Sequence, residues 1–232
     1  MKTITLSILT IFIAFLTPYS TEMEVVFKND GVTISTNSSF EVLEFNPTNF
    51  EFGVSEGKPT NTDFYINGNF FFKGGAPMGL VVIDGKKKSG KRKGGGFFYV
   101  KNGKPYVRSK YCPSYTEYCS QSVFWGIDNG EVNTFALTEN HSKQKRFRTL
   151  IGENKNGEII LIISKIRLDV RTILDFSMGY NLVDAVFCDG GSSVDYYFNN
   201  GKYSSTFKSM NNNIKTILDI DQPPIYISGN FK

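Results

Sequence analysis

Three Asn-Gly pairs, Asn102-Gly103, Asn129-Gly130 and Asn156-Gly157, each stand between two short apolar runs. Asn and Gly both tolerate the positive φ that a two-residue hairpin turn demands. The pairs therefore predict antiparallel strands over 97–100 and 105–107, 123–127 and 132–137, and 148–151 and 158–163. Stretches 24–27, 32–35, 40–45 and 80–83 read as further strands, the last stopped by Asp84-Gly85. Residues 46–61 read as either strand or loop. The best helix is 170–178, with Asp169 placed to cap its start and Gly179 to end it. A shorter helix is predicted over 205–214, and Pro223-Pro224 introduces a last, edge-like strand. The expected fold class is α+β: a single domain of mostly antiparallel sheets with one or two packed helices.

The first 21 residues of the 232 follow the order of a secretory signal peptide or signal anchor. Lys2 supplies the charge, 4–16 the apolar run, and Pro18 breaks it. The run is short for a membrane span. Residues 22–232 remain for one domain, without an internal repeat or a Pro/Ser-rich linker. The expected location is secreted, periplasmic or cell-envelope. In such a compartment Cys112 and Cys119, either side of a short polar loop, are expected to form a disulfide. Cys188 lies in an apolar strand and reads as a buried small hydrophobe. His141 is the only histidine, which argues against a histidine-rich zinc site. No Gly-x-Ser-x-Gly elbow is present to support a Ser-His-Asp hydrolase.

The formal charge is +4, much of it from the lysine-rich tract 86–93. That tract reads as a solvated hairpin loop, or as a rim that attracts an anionic polymer. No motif for reading nucleic acid accompanies it, so no specific nucleic-acid partner is expected.

Three segments carry groups suited to chemistry. The strand from Asp184 ends in Asp189-Gly190-Gly191-Ser192-Ser193, a carboxylate followed by a turn that a ligand can approach closely. Asn67-Gly68-Asn69 lies among aromatics, where buried amides must find partners. Arg148-Thr149 opens an apolar strand, and Lys145 and Arg146 precede it; an arginine there can offer two parallel donors to a phosphate. Each segment also has a structural reading, as a polar turn, a buried amide pair and a surface charge cluster. Together they supply a carboxylate, a guanidinium, amides and loop N–H groups, a set that fits an anionic group leaving a sugar.

In kind and in order, these motifs resemble those of the phosphodiester glycosidase family, over roughly residues 64–198. The matching stretches are Asn67-Gly68-Asn69-Phe70-Phe71, then Arg148-Thr149-Leu150-Ile151-Gly152 before the Asn156-Gly157 turn, then Asp189-Gly190-Gly191-Ser192-Ser193. Asn69 and Ser192 stand where the family usually has glycine, and Cys188 where it has leucine. The resemblance implies cleavage between the anomeric carbon and phosphate oxygen of a sugar-1-phosphodiester such as GlcNAc-1-phosphodiester. Asp189 would act at the sugar, Arg148 on the phosphate, and Asn67 would orient either. Asn69, Gly68, Thr149, Gly190, Gly191, Ser192 and Ser193 would line the substrate site. Asp84 and Asp195 are weaker candidates for a second carboxylate. A calcium or magnesium ion held by Asp189 and nearby carbonyls remains open. The rival reading is a non-catalytic binder of anionic envelope glycans on the same scaffold. In either case the partner is a phosphate-bearing glycan.

Overall fold

The structure, a computed structural model, describes residues 22–138, 140–208 and 223–232. The expected signal over 1–21 lies outside the described residues. Strands run in chain order as β1 (Glu24–Lys28), β2 (Val32–Thr36), β3 (Phe40–Phe45), β4 (Phe50–Glu56) and β5 (Phe64–Asn67). Next come β6 (Val81–Ile83), β7 (Lys86–Ser89), β8 (Phe97–Lys101), β9 (Lys104–Arg108) and β10 (Tyr118–Gln121). Then β11 (Trp125–Asp128) and β12 (Glu131–Val132) lead into two short helices, α1 (Thr134–Thr138) and α2 (Asn140–Lys143). The chain continues through β13 (Thr149–Asn154), β14 (Ile159–Ser164), α3 (Val170–Ser177), β15 (Leu182–Phe187), β16 (Asp195–Asn199), β17 (Ser204–Lys208) and β18 (Ile225–Phe231).

These strands form an eight-stranded sheet, β1-β2-β3-β14-β13-β15-β11-β12, and two five-stranded sheets, β7-β6-β10-β8-β9 and β17-β16-β5-β18-β4. The pairings are antiparallel, so the fold is sheet-rich with few helices. All three sheets contribute to one central core. Ile151, Leu161, Val186, Phe98, Phe64, Tyr196 and Ile227 are among its buried members. The run Ile159–Ser164 shows how sequence dictates this layering. Ile159, Leu161 and Ile163 face the central core, while Ile160 and Ile162 face α3. A strand buried on both faces reads as a near-continuous apolar run.

Two of the three Asn-Gly turns form as expected: Asn102 and Gly103 have φ of 53° and 68°, Asn129 and Gly130 of 52° and 82°. At the third only Gly157, at φ 80°, is left-handed, and the Asn154 side chain accepts the Asn156 and Glu158 N–H groups at 3.0 Å. Asp169 caps α3, its Oδ1 accepting the Thr172 N–H at 2.8 Å. Such a cap is worth about 1 kcal/mol. The α3 stop differs from expectation. A 3₁₀ turn carries the chain past Gly179, and Asn181 at φ 52° closes it in the left-handed region.

Five further expectations are corrected. Residues 134–138 are helical rather than strand, because the Asn133 side chain accepts the Phe135 N–H at 3.1 Å and nucleates a helical turn. Residues 205–208 belong to β17, paired with β16, in place of the expected helix; 209–214 lie outside the described residues. The last strand, β18, is interior, hydrogen-bonded to both β4 and β5; its prolines precede the paired residues and cost it no ladder bond. The lysine tract is no loop throughout, since Lys86–Ser89 forms the edge strand β7. The expected disulfide is likewise not formed: Cys112 and Cys119 are free thiols with sulfurs 3.4 Å apart.

Candidate active site

All three motif segments end at one rim of the molecule. β15 and β13 run antiparallel with Leu150 opposite Phe187, and the ladder continues as the Cys188 N–H donates to the Thr149 carbonyl at 3.1 Å. The next residue changes sheets: the Asp189 N–H donates to the Gly68 carbonyl at 2.9 Å, at the end of β5. Asp189 thus stands at the joint between the eight-stranded sheet and a five-stranded one. The Asn156-Gly157 turn lies at the far end of β13, away from this rim.

Asn67 holds the joint together. It is fully buried, its Nδ2 donates to the Asp189 carbonyl at 2.6 Å, and its Oδ1 accepts the Asp195 N–H at 3.1 Å. One amide therefore clasps both ends of the 189–195 segment. Asn69 is also buried, with Oδ1 bonded to the Ser120 hydroxyl and Nδ2 3.4 Å from the Leu80 carbonyl. A Cβ at Gly68 would meet Ser120 Oγ at 2.9 Å and push that hydroxyl off Asn69. These three residues build the wall behind Asp189.

The turn packs against the segment that leads into β13. The Gly191 N–H donates to the Phe147 carbonyl at 2.7 Å, and a Cβ on Gly190 would lie 2.8 Å from the same oxygen. Gly191, at φ 68°, occupies the left-handed region, and its Cβ position lies 3.7 Å from Arg146 Cδ. Gly191, Ser192 and Ser193 form a 3₁₀ turn that directs the Ser193 hydroxyl back to Asp189.

The Asp189 carboxyl is densely surrounded by protein, although part of the residue still meets solvent. Burial pushes its pKa up to about 7, against the pull of the Ser193 hydroxyl, the Gly190 N–H and the positive charge of Arg146. Arg146 is exposed at the lip, its guanidinium bonded to the Gln144 side chain. Arg167, also exposed, stacks over the Phe147 ring at 5.6 Å and adds to the positive lip.

Arg148 is placed differently. Its guanidinium donates to the Gln144 carbonyl at 2.8 Å and to the Leu168 carbonyl at 3.4 Å. Burial lowers its pKa to about 10, Arg146 adds to the effect, and Asp169 opposes it. The backbone of Arg148 adjoins the Asp189 turn, while its side chain ties the rim to the start of α3. Thr149 is fully buried, and its Oγ1 has no hydrogen-bond partner among the described residues. Cys188, beside the acid, is an inert thiol pushed up to about 12 by burial and by Asp189. Asp195 is buried and bonded to the Tyr226 hydroxyl at 2.9 Å, with Lys58 at 3.6 Å. Asp84 lies on the β6–β7 turn, where it accepts from the Tyr118 hydroxyl at 2.7 Å.

No group of three or more Asp, Glu, His or Cys side chains among the described residues could hold a metal ion. A calcium or magnesium ion at Asp189 would have to draw most of its oxygens from carbonyls and substrate.

A family model described as phosphodiester glycosidase matches residues 60–218, more than half of the chain and the whole of this rim. The chain belongs to the phosphodiester glycosidase family. Among solved structures, the chain is similar to the catalytic domain of zebrafish N-acetylglucosamine-1-phosphodiester alpha-N-acetylglucosaminidase, auto-inhibited by its pro-peptide. That match has 15% identity and a TM-score of 0.62 over 91% of this chain and 82% of the other. A hypothetical protein from Synechocystis matches with 13% identity and a TM-score of 0.66, over 91% of this chain and 64% of that one. Identities this low speak for the fold alone. No curated protein sequence matches the chain.

Arg146 is the rim residue that sequence reasoning valued least, as part of a surface charge cluster. The one available signal was the alternation Arg146-Phe147-Arg148 at a strand entrance, which offers two guanidinium groups to one edge.

Proposed function

We propose that this phosphodiester glycosidase hydrolyses the bond between the anomeric carbon and the phosphate oxygen of a sugar-1-phosphodiester. The products are free sugar and a phosphomonoester. The zebrafish relative's name points to N-acetylglucosamine as a first sugar to try. What carries the reading is Asp189, a carboxyl with a strongly raised pKa, pinned by Asn67 at a glycine turn beside Arg146. Perturbed acids in such settings mark working sites.

Arg146, exposed at the lip, takes the phosphate in this scheme, and Arg148 braces the strand beneath it. Ionised Asp189 stabilises or attacks the anomeric carbon as the C1–O bond breaks and its electron pair leaves on the phosphate oxygen. Water then adds to C1, any C1–Asp189 bond breaking with its electron pair returned to the carboxylate, and the water proton is lost to solvent. A phosphomonoester leaves far more readily than an alkoxide, so no strong second acid is needed. Asn67, with its amide engaged at both ends, positions the turn. Export from the cell, with the glycan outside it, is part of the proposal.

The test is product analysis with GlcNAc-1-phosphomethyl. Free GlcNAc and methyl phosphate are expected, and Arg146→Gln should weaken this substrate far more than a neutral aryl glycoside. Saturable binding without release of sugar would favour a glycan-binding module instead.

A further inference from the structure

A cleft of about 550 Å³ lies on the outer face of the sheet that contains β6, β10 and β8. Lys87 from β7, Lys91 from the following loop and Lys101 from the end of β8 line it, facing Tyr115 and Thr116. Register places Lys87 there. It pairs with Val82, whose side chain packs with Phe97, Tyr99 and Cys119 on that outer face. Its neighbour Lys88 meets Glu56 at 3.5 Å. Lysines on an edge strand also block unwanted strand pairing. That role covers β7 but not Lys101, on an interior strand, or Lys91, in a loop.

Tyr115 is 86% exposed, a ring face open to the apolar side of a sugar. Glu117 is the one acidic lining residue, and its Oε1 is engaged with the Asn102 N–H at 2.8 Å. Three cations against one carboxylate leave a positive field in a concave site, which concentrates anions.

The same basic tract continues toward the Asp189 rim. Gln121 clips it there, accepting the Arg92 N–H at 3.0 Å and donating to the Arg92 and Gly94 carbonyls at 2.9 and 2.7 Å. Gln121 follows Ser120, whose hydroxyl bonds Asn69 behind Asp189. Lys91, Arg92 and Lys93 thus carry positive charge from the cleft to the Gln121 clip at the end of β10.

We propose that the cleft is an exosite for a chain of repeating phosphodiesters, whose terminal sugar-1-phosphodiester reaches Asp189. Delivery to Asp189 rests on the proposed function; binding in the cleft does not. The probe is a synthetic poly(glycerol phosphate) oligomer, titrated calorimetrically into wild type and the Lys87→Glu/Lys91→Glu double variant. Both lysines are exposed, so the fold should survive, and circular dichroism checks it. Wild-type affinity should fall as salt rises. The double variant should bind at least tenfold more weakly while keeping its kcat/KM on GlcNAc-1-phosphomethyl. Tyr115→Ser, which leaves the charge intact, should weaken binding to a glycosylated form of the oligomer and spare the bare one. Wild-type affinity in the double variant would overturn the proposal. So would tighter binding of a single-stranded oligonucleotide of equal charge. Lysine-dependent binding without turnover of any phosphodiester supports the exosite and overturns only the catalytic reading.

Discussion

The raised pKa of Asp189 gives a quantitative prediction for the pH dependence of catalysis. The proposed mechanism needs the ionised carboxylate, and burial moves its ionisation to about pH 7. With that pKa, about 1% of the acid is ionised at pH 5 and about 90% at pH 8. The rate should therefore climb by nearly two orders of magnitude across this interval, while an exposed aspartate, ionised at both ends, would give a flat profile. Arg146, Ser193 and the Gly190 N–H favour the charged form, so Arg146→Gln should move the inflection to higher pH. The assay is kcat/KM for GlcNAc-1-phosphomethyl between pH 5 and 9, over which the phosphodiester does not itself titrate. The same shift has a stability signature. From about pH 4 to pH 7 the unfolded chain ionises Asp189 and the folded chain does not, so this residue's contribution to stability falls across that window and levels off above it. A rate that stays flat, or falls with rising pH, would refute the assignment of Asp189 as the working carboxylate.

The two glycines of the turn should fail for different reasons. Gly190→Ala drives a Cβ to 2.8 Å from the Phe147 carbonyl, which should cost about 1–3 kcal/mol and displace Asp189, so that activity falls with stability. Gly191→Ala meets nothing closer than 3.7 Å but holds φ at 68°. It should cost about 1–2 kcal/mol in denaturant unfolding with activity largely kept, and the opposite ranking in activity would contradict the packing described. Asn67→Ala leaves the Asp189 carbonyl and the Asp195 N–H unpaired, which should remove about 2–4 kcal/mol; a neutral result would mean that the clasp is dispensable. The Cys112 thiol is lowered by its contact with Cys119 and by the nearby Lys91. Oxidised glutathione should therefore close a Cys112–Cys119 disulfide, seen as the loss of two thiols in mass spectrometry, and persistent free thiols would exclude it.

Much of the fold was legible because single residues decide it locally. An asparagine or glycine that accepts positive φ fixes a hairpin, and Asp169 fixes a helix start whatever surrounds it. What misled was context. Residues 132–137 have the alternation of a strand, yet only Val132 pairs as one, and the Asn133 side chain starts a helix at Thr134. Lysines look like a loop until a neighbouring strand offers backbone bonds to the edge. Pro223-Pro224 suggest an edge, but the residues that follow are free to pair on both sides. At the site, the meeting of the three segments followed from their motifs, and buried amides at 67 and 69 promised partners. Which partners they chose depends on where two sheets join, and no local pattern encodes that joint. Likewise 146 and 148 look interchangeable in sequence. Only the packing of the rim against α3 buries one guanidinium and leaves the other at the lip.

The most direct measurement is phosphorus NMR of GlcNAc-1-phosphomethyl turnover by wild type and by Asp189→Asn, with both proteins shown to be folded. Wild type should release methyl phosphate and free GlcNAc, and the variant should release neither. GlcNAc-1-phosphate as the product, or undiminished turnover by the variant, would contradict the role given to this carboxylate.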